Sequence, residues 1–130
     1  MDQTHLFTKQ LSATDVTYAL AVPSQALQSF VFPEGDHSMD FAATDKSGII
    51  WNFRLSTRST GPYPKPVILG SFWQPFVEQK RLVPNDRVIF FSVHDEENGL
   101  RYRMRAQRNI IRLFGQDCYV DVEDLHLYGL

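Results

Sequence analysis

The sequence predicts a mainly β domain, a small barrel or sandwich of short strands with two short helices. Three observations point that way. Residues 49–58 alternate strictly, with Ile49, Trp51, Phe53 and Leu55 on one face and Ile50, Asn52, Arg54 and Ser56 on the other. That period of two marks a half-buried strand. Two hairpin signals follow the same logic, and amphipathic helical periodicity is confined to two brief segments.

The first hairpin joins a strand over 38–44 to the alternating one through Asp45-Lys46-Ser47-Gly48. The second joins 87–94 to 100–107 through a turn over 95–99. Its second strand sends Arg101, Arg103 and Arg105 one way and Tyr102, Met104 and Ala106 the other. Segments 110–114 and 119–122 are candidates for two further strands. A helix is expected over 24–30, opened by Pro23 and capped by Ser24. A second is expected over 72–79, with Ser71 as its cap, Pro75 in the first turn, and Phe72, Phe76 and Val77 inward. Residues 61–66, Gly-Pro-Tyr-Pro-Lys-Pro, read as a stiff, extended, exposed connection, because three prolines forbid helix and remove ladder donors.

Composition bounds the function classes. At 130 residues, 43% apolar and 13% aromatic, the chain can bury one core and is not disordered. A single domain over 1–130 is expected, its core about 5–123. The lone cysteine, Cys118, cannot close an intrachain disulfide, which suits a reducing compartment. No signal-peptide pattern opens the chain, and no apolar run approaches the ~18 residues of a membrane span. An intracellular, soluble protein is therefore expected. Scattered histidines (His5, His37, His94, His126) and the absence of phosphate-loop or nucleophile-elbow motifs leave no metal, cofactor or small-molecule chemistry, so an enzyme is not expected.

Several strings resemble the plant B3 DNA-binding family. Leu6-Phe7-Thr8-Lys9 followed by Leu11-Ser12-Ala13-Thr14-Asp15 is similar to the family's opening L-F-x-K-x-L-[ST]-x-[ST]-D. Val22-Pro23 before a short helix, Trp51-Asn52-Phe53-Arg54, and the run from Gly70 through Phe76, Val77, Lys80, Leu82, Asp86 and Val88 match later elements in order. The resemblance implies a seven-stranded open barrel (a pseudobarrel) with two short helices, a nuclear transcription-factor domain, and double-stranded DNA held in the major groove between two loops.

Carried over position by position, the first loop falls at Thr17, Tyr18 and Ala19, introduced by Ser12 and Thr14. The second falls at Thr57, Arg58, Ser59 and Thr60, with Lys65 beyond it. Arg58 is the candidate for a bidentate pair with guanine. Ser59 and Thr60 are candidate phosphate donors, and Lys9, Arg54 and Lys65 candidate phosphate cations. The first loop is shorter than the family's and carries no charge, and the formal net charge is −2. Both features predict modest affinity for the isolated domain, raised by a second module or other transcription factors. They also motivate an alternative: a barrel of this type serving as a protein-interaction or dimerisation module. The dense arginine stretch Arg101, Arg103, Arg105, Arg108 and Arg112 is expected to pair with acids across strands, rather than to face DNA. Lys80 and Arg81 are expected to be structural.

Overall fold

The computed structural model describes residues 2–57, 65–97, 99–113 and 116–129. Its strands are β1 (Asp2–Gln10), β2 (Leu20–Ala21), β3 (Ser38–Thr44), β4 (Ile50–Ser56), β5 (Val67–Ile68), β6 (Arg87–Asp95), β7 (Gly99–Leu113) and β8 (Gln116–Asp121). They form one sheet in the order β1-β6-β7-β3-β4-β5-β2, with β8 added to the far part of β7. Neighbours run antiparallel except β3 and β7, which touch in parallel at Ala43–Tyr102 and Thr44–Arg103. The sheet curls without closing on itself, because β1 and β2 stand at its two ends. This is an open barrel of eight strands, one more than expected; β2 and β5 are two residues each.

Both predicted hairpins are present. β3 pairs with β4 from Ser38–Ser56 to Thr44–Ile50, and β6 pairs with β7 from Arg87–Gln107 to Asp95–Gly99. Alternation places Phe53, Leu55, Met104 and Ala106 in the core, as the pattern requires. Phe41, Phe53, Phe90 and Trp73 are buried there with Phe76, their rings meeting at tilted and edge-on angles. The segment expected as a separate strand over 110–114 instead continues β7, across an irregularity between Asn109 and Ile111.

The helices differ from expectation in three ways. Residues Ser24–Ser29 form a 3-10 turn rather than an α-helix, with Pro23 before it and no side-chain cap. Helix α2 spans Gly70–Lys80, so Ser71 lies inside it and Leu69 is its N-cap. A five-residue helix, α1 (Ala13–Thr17), occupies the stretch that the first loop was expected to begin in. Another 3-10 segment, Val122–Tyr128, follows β8.

Helix α1 exists because of Asp15. Ser12 and Asp15 form a reciprocal capping box: the Asp15 N–H donates to Ser12 Oγ (3.1 Å) and the Ser12 N–H to Asp15 Oδ2 (2.8 Å). The same carboxylate accepts from Lys9 Nζ at 2.9 Å and from the Ala21 N–H at 3.0 Å. Its backbone carbonyl accepts from the buried indole of Trp73 at 2.7 Å. One residue thus ties the end of β1, helix α1, the start of the β2 edge and helix α2. Burial pushes the Asp15 carboxyl up, but the Ser12 and Ala21 N–H groups and Lys9 together outweigh it, leaving its pKa below 3.8.

A folded-state pKa below the unfolded value stabilises the fold above that value, and the contribution is lost as pH falls through the folded pKa. Asp15→Asn should therefore lower unfolding free energy by about 3 kcal/mol at neutral pH, since the amide opposes the N–H and ammonium donors. Urea denaturation of both proteins across pH should show this gap shrinking as pH drops below 3.8. A gap independent of pH would contradict the ionic role.

Candidate nucleic-acid interface

The two predicted loops are joined by the smallest strands of the sheet. Leu20, Ile68 and Leu55 lie side by side across β2, β5 and β4, all of them buried. Ala21, Val67 and Ser56 form the next rung. Two-residue strands cannot order themselves, and bonds beyond the ladder hold them here. The Val22 N–H donates to the Pro66 carbonyl (3.0 Å), and the Leu69 N–H donates to the Arg54 carbonyl (3.0 Å). Chain leaving β4 at Thr57 therefore returns at Lys65 beside Val22. Thr57 is itself fixed by its N–H on the His37 carbonyl at 2.8 Å, and Lys65 is exposed where the chain returns.

The other end of this patch carries Thr17, Tyr18 and Ala19. The Gln74 side-chain amide of α2 donates to the Val16 carbonyl (2.9 Å) and the Tyr18 carbonyl (3.0 Å), closing α1 from outside. Gly70 lets α2 approach: a Cβ there would stand 2.6 Å from the Tyr18 carbonyl oxygen. Held in this way, the Tyr18 side chain is 71% exposed. Strand β5 and Leu69 therefore run between the two ends of the patch, Pro66 beside Val22 and Gly70 beside Tyr18.

The candidates among the described residues have definite places. Thr14 and Thr17 are exposed on α1, the Thr17 hydroxyl donating to the Ala13 carbonyl at 2.8 Å. Lys9 and Ser12 serve Asp15, which accounts for both residues of the opening motif structurally. Arg54 makes a two-pronged pair with Asp40, Nε to Oδ1 at 2.7 Å and Nη2 to Oδ2 at 3.0 Å, with its guanidinium 4.9 Å from the Phe72 ring. The hydrogen bond from Arg54 holds the Asp40 carboxyl below its ordinary value. A phosphate would have to displace Asp40 from this exposed arginine. Arg58, Ser59 and Thr60 lie outside the described residues, as do 61–64 of the proline-rich connection.

Sequence reading did not single out Gln74, and it named Gly70 only as the start of the family-like run, without its packing role. Their roles depend on α2 lying against the α1–β2 turn. Among the described residues no cluster of acids, histidines and cysteines could hold a metal ion. Nor is any helix there long and apolar enough to cross a membrane.

No family model matches the chain. Curated proteins similar to it include auxin response factor 3 of Oryza sativa subsp. japonica, 34% identical over 110 residues, which are 79% of this chain and 14% of that protein. Auxin response factor 3 of Arabidopsis thaliana is 32% identical over 79% of this chain and 17% of its own length. Auxin response factor 19 of Oryza sativa subsp. japonica is 35% identical over 83% and 10%. The chain therefore spans about a sixth or less of each of these relatives.

Among solved structures, the Arabidopsis FUS3–DNA complex matches with a TM-score of 0.66 at 19% identity, over 80% of this chain and 97% of that one. The Arabidopsis thaliana transcription factor LEC2–DNA complex gives 0.67 at 17%, over 81% and 94%. At these identities the likeness is one of fold, the open barrel with short helices.

Replacing Gly70 with Ala tests the coupling of α2 to the first loop. The added methyl meets a backbone oxygen that cannot rotate away, so we expect a loss of about 1–3 kcal/mol. We also expect amide chemical shifts to move most over 16–21 and little in β6–β7. Uniform small shifts with unchanged stability would show that the turn is not set by this contact.

Proposed function

This chain belongs to the plant B3 DNA-binding domains, and from that premise we propose that it grips one major groove of double-stranded DNA between two loops, residues 17–19 and 57–65. It acts as a transcription-factor domain in the nucleus and has no catalytic role. The observation that supports this reading is the β4–β5–β2 patch, whose ladder and backbone hydrogen bonds join Ser56 and Pro66, which flank the second loop, to β2, which follows the first.

Roles follow from what each side chain has free. Lys65 has its ammonium in solvent and suits a phosphate. Arg58, between Thr57 and the proline-rich segment, is the candidate for reading guanine. Thr14 and Tyr18 supply neutral donors and acceptors to phosphates or base edges. Thr17 and Thr57, whose hydroxyls donate to the Ala13 and His37 carbonyls, supply acceptors. Ser59 and Thr60 are assigned the same task from their residue type alone. Lys9 and Arg54 are held by Asp15 and Asp40, so they add potential to the face more readily than direct contacts. With so few cations available, log affinity should fall with log salt at a slope of about −2 to −3.

The pairing of Lys9 and Arg54 also favours the second reading, an interaction module whose basic face is neutralised. Fluorescence anisotropy of a random duplex pool separates the two readings. Salt-sensitive binding by the wild type, weakened at least about tenfold by Arg58→Ala/Lys65→Ala with an unchanged circular dichroism spectrum, is the expected result. No binding at low salt would sink the DNA reading and leave the interaction module.

A further inference from the structure

Six of the cations are neutralised by acids, and two exposed arginines that sit together on β7 are not. Ion pairs engage Lys9, Lys46, Arg54, Lys80, Arg105 and Arg108. Arg101 and Arg103 have no such partner among the described residues, and both are exposed on β7. They stand opposite Val93 and Phe91 of β6 in the ladder, on the outer face of the sheet. These four residues, with Gln3 of β1 and Thr44 of β3, line a groove of about 590 Å³. Asp45 and Asp95 also border it; Asp45 is held by Lys80, and Asp95 has interactions of its own.

The groove is remote from the loop bases. Thr44, beside Arg103, lies at the opposite end of β3 from His37, which anchors Thr57. Six residues of strand separate Ser38 from Thr44, about 20 Å. A duplex held between the two loops leaves this face open.

We propose that the groove is a docking site for an extended, acidic segment of a partner protein. Arg101 and Arg103 are two residues apart on one strand, so their guanidinium groups repeat at about 7 Å. Acidic side chains two apart in an extended peptide repeat at the same interval, and each can form a charge-assisted, two-pronged bond. The floor decides between peptide and nucleic acid. Phe91 is half-buried and supplies the apolar surface beside the cations, whereas Val93 is covered. A phosphate backbone has nothing to place there, whereas a peptide with apolar or aromatic residues among its acids covers it. The partner is thus a segment in which acidic residues alternate with apolar ones, bound while the loops hold DNA.

The test uses the whole chain and a fluorescein-labelled peptide of about ten residues alternating Glu with Leu, Phe and Gly. A single-stranded oligonucleotide of similar length is run in parallel. At physiological salt we expect the peptide to bind more tightly than the oligonucleotide. Arg101→Glu/Arg103→Glu should weaken peptide binding at least about tenfold while duplex binding is unchanged. Should the double reversal unfold the protein, Arg101→Gln/Arg103→Gln gives the same comparison. Peptide binding that survives either variant overturns the proposal, and so does its absence in the wild type. Oligonucleotide binding that is tighter and lost in the same variants also overturns it, and assigns the groove to nucleic acid.

Discussion

Everything near the proposed interface depends on one buried carboxylate. Asp15 is 1% exposed, and an ion so placed is tolerable only if its lone pairs are filled. Three donors from three places in the chain fill them: Lys9 at the end of β1, Ser12 before α1, and Ala21 in β2. Because those donors cannot reach one carboxylate in any other arrangement, the electrostatic demand becomes a geometric one. It fixes where β2 begins, and β2 fixes β5 by register. The described residues at the bases of both loops inherit their positions from that chain of constraint, with the Trp73 indole bonded to the carbonyl of the same residue.

The fold uses this device four times. Asp45 collects the Ile49 N–H, the Trp51 indole and Lys80, joining the β3–β4 turn to α2. Asp86 collects the Val83 N–H and both prongs of Arg108, closing the turn before β6. Asp121 collects Arg105, Gln107 and Lys46 at the end of β8. Each carboxylate sits where chain direction changes and backbone ladders cannot supply the partners. The consequence reaches function. Five of the chain's cations are drawn into scaffolding, so the count of Lys and Arg says little about the charge available to DNA. A net charge of −2 and a DNA-binding role are compatible because the binding face needs only a few cations outside those clusters.

That distinction also explains what could be read in advance. Alternation around Phe53 and Met104 fixes which face is buried whatever the tertiary context, so both hairpins and the aromatic core were legible. The pairing expected of the dense arginine stretch held only in part: Arg105 meets Asp121 of the neighbouring strand, Arg108 meets Asp86 in the turn before β6 instead, and Arg101 and Arg103 have no acid partner among the described residues. Helix α1 was not, because five residues are too few for periodicity; its one local sign is Ser12 three residues before Asp15. Strands β2 and β5 were equally hidden, since two residues cannot show alternation. Lys9 shows the limit most clearly. Its place in the opening motif suggested a phosphate contact, and no one-dimensional signal announces that an acid six residues later folds back beneath it. The roles of Gln74 and of the motif glycine Gly70 were hidden for the same reason: each acts on backbone more than fifty residues away.

A neutral first loop changes how such a domain would discriminate among DNA sequences. Non-specific affinity comes almost wholly from phosphate charge and counterion release, whereas base reading comes from short-range donors and acceptors in the groove. Removing cations from the jaws therefore lowers the non-specific background more than it lowers recognition of the right sequence. What remains must come from shape: loop bases tied together by β2 and β5, an exposed Tyr18, and hydroxyls on α1. Pre-organisation of this kind limits the entropy lost on binding, and it is supplied here by Asp15, Gly70 and Gln74 rather than by any residue that touches DNA. On this reading the acidic scaffold and the sparse positive face are one adaptation. The carboxylates that make the chain an unpromising nucleic-acid binder by composition are what hold the strands at the base of the proposed loops.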